Sequence, residues 1–460
     1  MKEFPFVDRE RELGELRRVL GSREPQLVRV YGRRRVGKTA LLRETLRERE
    51  GLYLVADEGE PPVQRELLAA QIGQFTGRGA PVLRSWDDLL DEIERLSPEV
   101  TVLDEFPFLW AADHSVGTRL QHRWDAKHGR LGTHLVLCGS SIRMMRQLVG
   151  GRTGPLFGRL TADLRVRGLT YPAVRQFYPG LPEEDRVARF AVFGRSPFNH
   201  RLTRERPSLQ EAVTAAYLSD SARLRDEPRT LLREGVSAPE RYSSVLQAIG
   251  RGARSLPDLE HALGVRQGTL SRSLRVLEED LDMIRRVGPI AGRARRARYE
   301  FADPSLEFHY RLIVPQERRL ELGDIDGAWA SLAKDLEGHV GRVFETVVRE
   351  LLLEKRGSTL GPFKLDFHDI GSWWSRTGEE VDVVVVGEEE LLVGEVKWSP
   401  RGVTEDDVRR LVGKGGLIEE RGRRRVRPFV VVRGDPSPRI RDFLEREGGA
   451  AFSLADLLPG

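Results

Sequence analysis

The chain has 460 residues, 39% hydrophobic and 32% charged, with a formal net charge of +4 and a single cysteine. That length exceeds one ordinary hydrophobic core and implies two to four domains. The lone Cys138 excludes an internal disulfide and a cysteine-clustered zinc site. No apolar run approaches the roughly 20 residues of a membrane helix, and the charged opening MKEFPFVDRERELGEL lacks the apolar core of a secretory signal, so a cytoplasmic protein is expected. Only eight of the 75 basic residues are lysine. A GC-rich genome or a hot habitat accounts for such a global excess of arginine, so only local clustering counts toward function.

In chain order, residues 1–168 alternate strand-like apolar runs, at 26–31, 52–56, 100–103 and 133–138, with stretches of helical spacing such as 38–49. Strands separated by helices imply an α/β fold, a parallel sheet covered on both faces. Residues 169–239 are helical and rich in proline, as in a lid or linker. Residues 240–302 read as three short helices and a hairpin, and 303–340 as a bridging helical segment. Residues 341–460 open on a helix and continue as strands 380–386 and 391–398, helix 404–420 and strand 428–433.

The strongest motif is Gly32, Arg33, Arg34, Arg35, Val36, Gly37, Lys38 and Thr39, between a strand and a helix. Glycines let backbone N–H groups curl around phosphates, the helix N-terminus faces them, the lysine reaches the β/γ-phosphates and the threonine hydroxyl holds Mg2+. A P-loop site for ATP and Mg2+ is therefore expected. Its acidic half is Asp104, for the metal's water shell, and Glu105, placed to polarise the attacking water. Ser140, at the end of the next strand, is the candidate γ-phosphate sensor. Arg152 and Arg159 are candidates to stabilise transition-state charge, in cis or from a neighbouring subunit of a homo-oligomer.

Phe6, Val7, Asp8, Arg9, Glu10, Glu12 and Leu13, followed by the loop, Leu103-Asp104-Glu105, Leu137 to Ser141 and Pro155 to Arg159, resemble the predominantly archaeal P-loop ATPases related to the AAA+ and STAND branches. The resemblance implies that Val7, Asp8 and Arg9 lie near the adenine. It spans essentially the whole chain, including a C-terminal domain of uncharacterised function.

Within 240–302, Leu256, Leu259, Leu263 and Gly264, then Gly268, Leu270, Leu274 and Leu277, give a helix-turn-helix pattern with Gly264 at the turn. Arg266, Gln267, Arg272 and Arg275 would face outward from a recognition helix. A wing follows, with Arg285, Arg286, Arg293, Arg295, Arg296 and Arg298. This is a winged helix suited to duplex DNA, with the helix in the major groove and the wing on phosphates; packing or intramolecular regulation is the competing use.

In the last segment Asp382 begins one strand, and Glu395 and Lys397 share a face of the next. This is the PD-(D/E)XK nuclease arrangement, in an α/β, restriction-endonuclease-like domain. Asp382 and Glu395 would share Mg2+, Lys397 would activate the water, and Glu345 on the preceding helix would complete the set. Two functions follow: an ATP-dependent enzyme that binds and cuts DNA, or a STAND-like nucleotide switch whose C-terminal module recognises a partner without cutting.

Overall fold

The computed structural model describes residues 5–127, 131–151, 154–290, 297–399, 402–418 and 424–458. Two compact units separate. The first contains Met1–Leu169 with Ser196–Phe198 and Glu279–Asp282, and the second contains the remainder.

Strand β1 (Leu27–Tyr31) lies in a five-stranded parallel sheet with β2 (Gly51–Val55), β3 (Val100–Asp104), β4 (His134–Gly139) and β5 (Ala162–Arg165). The order is β2-β3-β4-β1-β5. Alternation along each strand feeds two cores. Leu27, Leu103, Leu135 and Leu137 join one, with Trp86 and Phe106, while Val28, Val30, Val102, Val136 and Cys138 join the other, with Leu16 and Leu41. Apolar side chains on both faces are what a parallel sheet clothed by helices requires. Strand β5 was not legible as a strand because its side chains are at most half-buried and its apolar pattern is correspondingly thin.

The second unit begins with short helices between Tyr171 and Gly235. Helices Pro239–Gly250, Leu256–Leu263 and Ser271–Arg275 follow. Gly264 closes the second of these at φ 62°, a left-handed conformation that costs glycine little. Antiparallel strands β6 (Ile284–Val287) and β7 (Arg298–Phe301) pair Arg285 with Glu300.

The boundary placed at residue 340 falls inside one 30-residue helix, Ile325–Glu354. Ala328, Leu332, Val340, Val343, Phe344, Val347 and Leu351 form one buried stripe along it, so the apolar period that drives the helix does not break where the sequence was divided. After a small hairpin, β8 (Thr359–Leu360) and β9 (Phe363–Lys364), a mixed sheet is built from β10 (Phe367–Trp374), β11 (Glu380–Gly387), β12 (Glu390–Lys397), β13 (Arg425–Val432) and β14 (Ala450–Ser453). These pair in chain order. The first three are antiparallel. The last three are parallel, with helices Glu405–Ile418 and Pro438–Arg446 as crossovers. Among the described residues no helix is long and apolar enough to cross a membrane.

Candidate functional site

The phosphate loop runs from the carboxyl end of β1 to helix Lys38–Thr45. A Cβ at Gly32 would stand 2.1 Å from the carbonyl oxygen of Val166, and Gly37 has φ 100°; both positions demand glycine. Lys38 is buried, and its ammonium donates to the Gly32 and Arg33 carbonyls at 3.0 and 3.1 Å. The ammonium is thus held against the loop backbone that would surround a phosphate.

Thr39 Oγ1 donates to Asp104 Oδ2 at 3.0 Å, which also accepts the Tyr53 hydroxyl at 2.6 Å. Although β4 lies between β1 and β3, the two halves of the site meet directly. Burial and the Asp104 carboxylate push the Tyr53 phenol well above its ordinary pKa, so it stays a hydrogen-bond donor. Glu105 Oε2 accepts both the backbone N–H and the hydroxyl of Ser140, at 3.1 and 2.8 Å.

Arg9 is buried. It donates to the carbonyls of Val36 at 2.8 Å and Arg167 at 2.9 Å and pairs with Glu12 at 2.9 Å. It therefore clamps the backbone of the phosphate loop, while Asp8 beside it adopts φ 55°. Arg159 makes a two-pronged pair with Asp125 at 2.8 and 2.7 Å, so its guanidinium is already engaged. Arg152 lies outside the described residues.

Arg266, Gln267, Arg272 and Arg275 are all exposed. The arginines expected on a wing differ. Arg298 was expected on a nucleic-acid phosphate, but it donates to Glu380 at 2.7 Å and lies 4.3 Å over the Trp374 ring. Ile290, beyond β6, packs with Trp373 and Val384, and its N–H bonds Ser372 O at 2.9 Å. An arginine joined to a carboxylate and an indole is committed to packing, so Arg298 is withdrawn from the DNA-facing set. Arg285 likewise pairs with Glu300. Arg293, Arg295 and Arg296 lie outside the described residues.

In the C-terminal sheet, Asp382 Oδ2 accepts the N–H of Val396 at 2.9 Å, and Lys397 Nζ meets Glu395 Oε1 at 2.5 Å. Burial and Glu395 push Asp382 up to about 6, while burial and Asp382 push Glu345 up to about 8. The four side chains are brought together. The carboxylates nevertheless form no metal cage: among the described residues no three His, Cys, Asp or Glu side chains are grouped to hold an ion. Glu395 turns to Lys397 and Asp382 to a backbone N–H.

Residues 6–186 match the model of an ATPase domain predominantly from Archaea. The chain carries a predominantly archaeal ATPase domain. Residues 309–411 match a second model, of archaeal and bacterial proteins of unknown function. An uncharacterized protein of Methanocaldococcus jannaschii is 29% identical over 411 residues, covering 88% of this chain and 90% of that protein. A Walker-type ATPase of Pyrococcus abyssi superposes with a TM-score of 0.52 at 19% identity, over 66% of this chain and 96% of that one, a likeness of fold.

Two contributors to the ATPase site escaped the sequence reading. Tyr53 lies on β2, where the only signal was an aromatic residue in an alternating strand. Ser196 comes from a distant loop and donates to Arg35 O at 3.0 Å, with Phe198 stacked under the Arg35 guanidinium at 4.1 Å. No local pattern announces such a contact.

Proposed function

We propose that the protein hydrolyses ATP with Mg2+ and that nucleotide state governs a C-terminal module working on DNA phosphodiesters. The observation that carries the first part is the joined pair Thr39 and Asp104 beside the loop-bound Lys38. A threonine hydroxyl and a buried carboxylate are the hard oxygen donors Mg2+ takes when phosphates and waters supply its remaining ligands. Bound there, Mg2+ would neutralise charge on the β- and γ-phosphate oxygens.

Lys38 would leave the loop carbonyls for the β/γ-phosphates, and Thr39 and Asp104 would hold the metal side. Glu105 would accept hydrogen bonding from the attacking water, and Ser140 would sit at the γ-phosphate. For the C-terminal module, support comes from Asp382 and Glu345, two half-buried carboxylates whose proton affinity burial and neighbouring acids raise, a repulsion that a divalent cation would relieve. There Asp382 and Glu395 would be ligands, Glu345 a further acid and Lys397 the group that orients water. Arg266, Gln267, Arg272 and Arg275 would read the duplex. The domain division 1–168, 169–239 and 240–302, followed by one C-terminal unit entered through the long helix, is the organisation we assign.

The competing switch reading draws on one observation, the Glu105 carboxylate already tied to Ser140, as in a slow-turnover resting state. One set of proteins tests both. ATP turnover and plasmid nicking in Mg2+ are measured for the wild type, Lys38→Ala, Glu105→Gln and Asp382→Ala. Lys38→Ala should lose ATP binding, and Glu105→Gln should keep binding while turnover falls roughly 100-fold or more. Asp382→Ala should abolish nicking alone. Nicking absent from the wild type would sink the nuclease part, and unchanged turnover in Glu105→Gln would sink the assigned water-activating role.

A further inference from the structure

A cleft opens between the winged helix and the long helix Ile325–Glu354, and its walls carry six arginines against three glutamates. The arginines are Arg195, Arg254, Arg285, Arg311, Arg342 and Arg349. Protein carboxylates occupy part of this charge. Arg285 pairs with Glu300 at 3.0 Å, Arg342 with Glu307 at 3.0 Å, and Arg195 with Glu350 at 2.6 Å.

Part is left over. Arg254, half-buried, makes no ion pair among the described residues. The Arg342 Nη2 atom is buried and has no hydrogen-bond partner. A buried charged donor without an acceptor is destabilising, and a bound anion would supply that acceptor. Burial and the neighbouring Arg342 and Arg254 guanidinia also hold Arg311 below the ordinary arginine value. Like charges gathered in one partly closed space are stabilised by an anion. The planar fork of arginine, with parallel N–H donors, fits phosphate oxygens in particular.

The place of the cleft selects among phosphates. Glu345 lines it and lies 3.9 Å from the Arg349 guanidinium. Arg349, also on the wall, donates to Asp382 O at 3.0 Å and Ser372 Oγ at 2.8 Å. The arginine-lined space thus leads to the Asp382 acids.

We propose that this cleft binds the phosphodiester backbone of one nucleic-acid strand, with Arg254 and the Nη2 group of Arg342 as its free donors, and delivers it to Asp382 and Glu345. The inference rests on the reading of the C-terminal module as one that works on phosphodiesters. It differs in placing strand contact in the cleft, whereas Arg298 of the wing is bound to the protein's own carboxylate.

The test is anisotropy of a fluorescent single-stranded oligonucleotide with the full chain in EDTA, where cleavage plays no part. Arg254→Gln should weaken binding roughly tenfold and reduce the salt slope by about one. It leaves no protein carboxylate unpaired, and retained ATP binding reports an intact fold. Arg342→Gln should behave alike, and Arg95→Gln, an exposed arginine paired with Glu92 in its own helix, should leave single-strand binding unchanged. Wild-type affinity in both cleft variants overturns the proposal. So does displacement of the oligonucleotide by millimolar inorganic phosphate, which would mark a site for the free anion. Strand binding that depends on Arg254 in a protein that never nicks would sustain the cleft while removing the nuclease reading.

Discussion

Glu105 occupies the left-handed region at φ 52° and ψ 39°, a conformation costing a residue with a Cβ about 1–3 kcal/mol. Its N–H donates to Asp104 Oδ1 at 3.0 Å, and its carboxylate accepts the Ser140 hydroxyl. The strained backbone aims this carboxylate along the end of the sheet, and Ser140 holds it there. Ser140→Ala removes the hydroxyl donor and keeps the backbone one. The expected outcome, if Ser140 senses the γ-phosphate, is a several-fold fall in ATP turnover with unchanged ATP affinity, measured by phosphate release and nucleotide titration. A rise in basal turnover would instead show that Ser140 only restrains Glu105. The pairing was half legible: Glu105 follows from its place after a buried acidic strand and Ser140 from its place after the next. That they bond each other depends on the spacing of β3 and β4, which neither segment encodes alone.

Among elements, the junction of β1, β5 and the phosphate loop is the tightest. Val166 N–H bonds Tyr31 O at 2.8 Å, and the Val166 carbonyl fills the space a side chain at residue 32 would need. Gly32→Ala would therefore part β1 from the chain that follows β5, an overpacking cost of about 1–3 kcal/mol. A denaturant melt should record that loss together with weakened ATP binding; an unchanged melt would show that the segment after β5 yields freely. The mixed sheet has a comparable close approach, where Gly394 lies opposite Phe429 and a Cβ would stand 2.2 Å from its ring. Helices and central strands were legible from their periods. The edge strand β5 and the unbroken helix Ile325–Glu354 were not, because partial burial thins one pattern and the division at residue 340 cut across the other.

Across the whole molecule, buried histidines set the response to acid. His200 receives the Tyr178 hydroxyl and donates to Gly194 O, both at 2.8 Å. Burial pushes it down to about 4, and burial pushes His309, whose ring nitrogens have no partner, to about 3. The unfolded chain takes up these protons near pH 6.5 while the folded one does not, so stability is full above that pH. It falls as pH drops toward 4, by up to about 1.4 kcal/mol per unit for each ring. His309→Leu should flatten that slope in melts between pH 7 and 4.5 without lowering stability at neutral pH. An unaltered slope would contradict the assignment. By itself the sequence determined the phosphate loop and the strand-and-helix order of its α/β domain, because each is carried by local spacing on one strand or helix. Only the tertiary structure decided where charge finds its partner: Arg9 on the loop carbonyl, Arg298 on Glu380, and Arg254 and Arg342 in a cleft. In a chain so rich in arginine every such residue looks alike in sequence, and the nearest carboxylate, set by packing between distant segments, separates those that hold the fold from those left to meet a ligand.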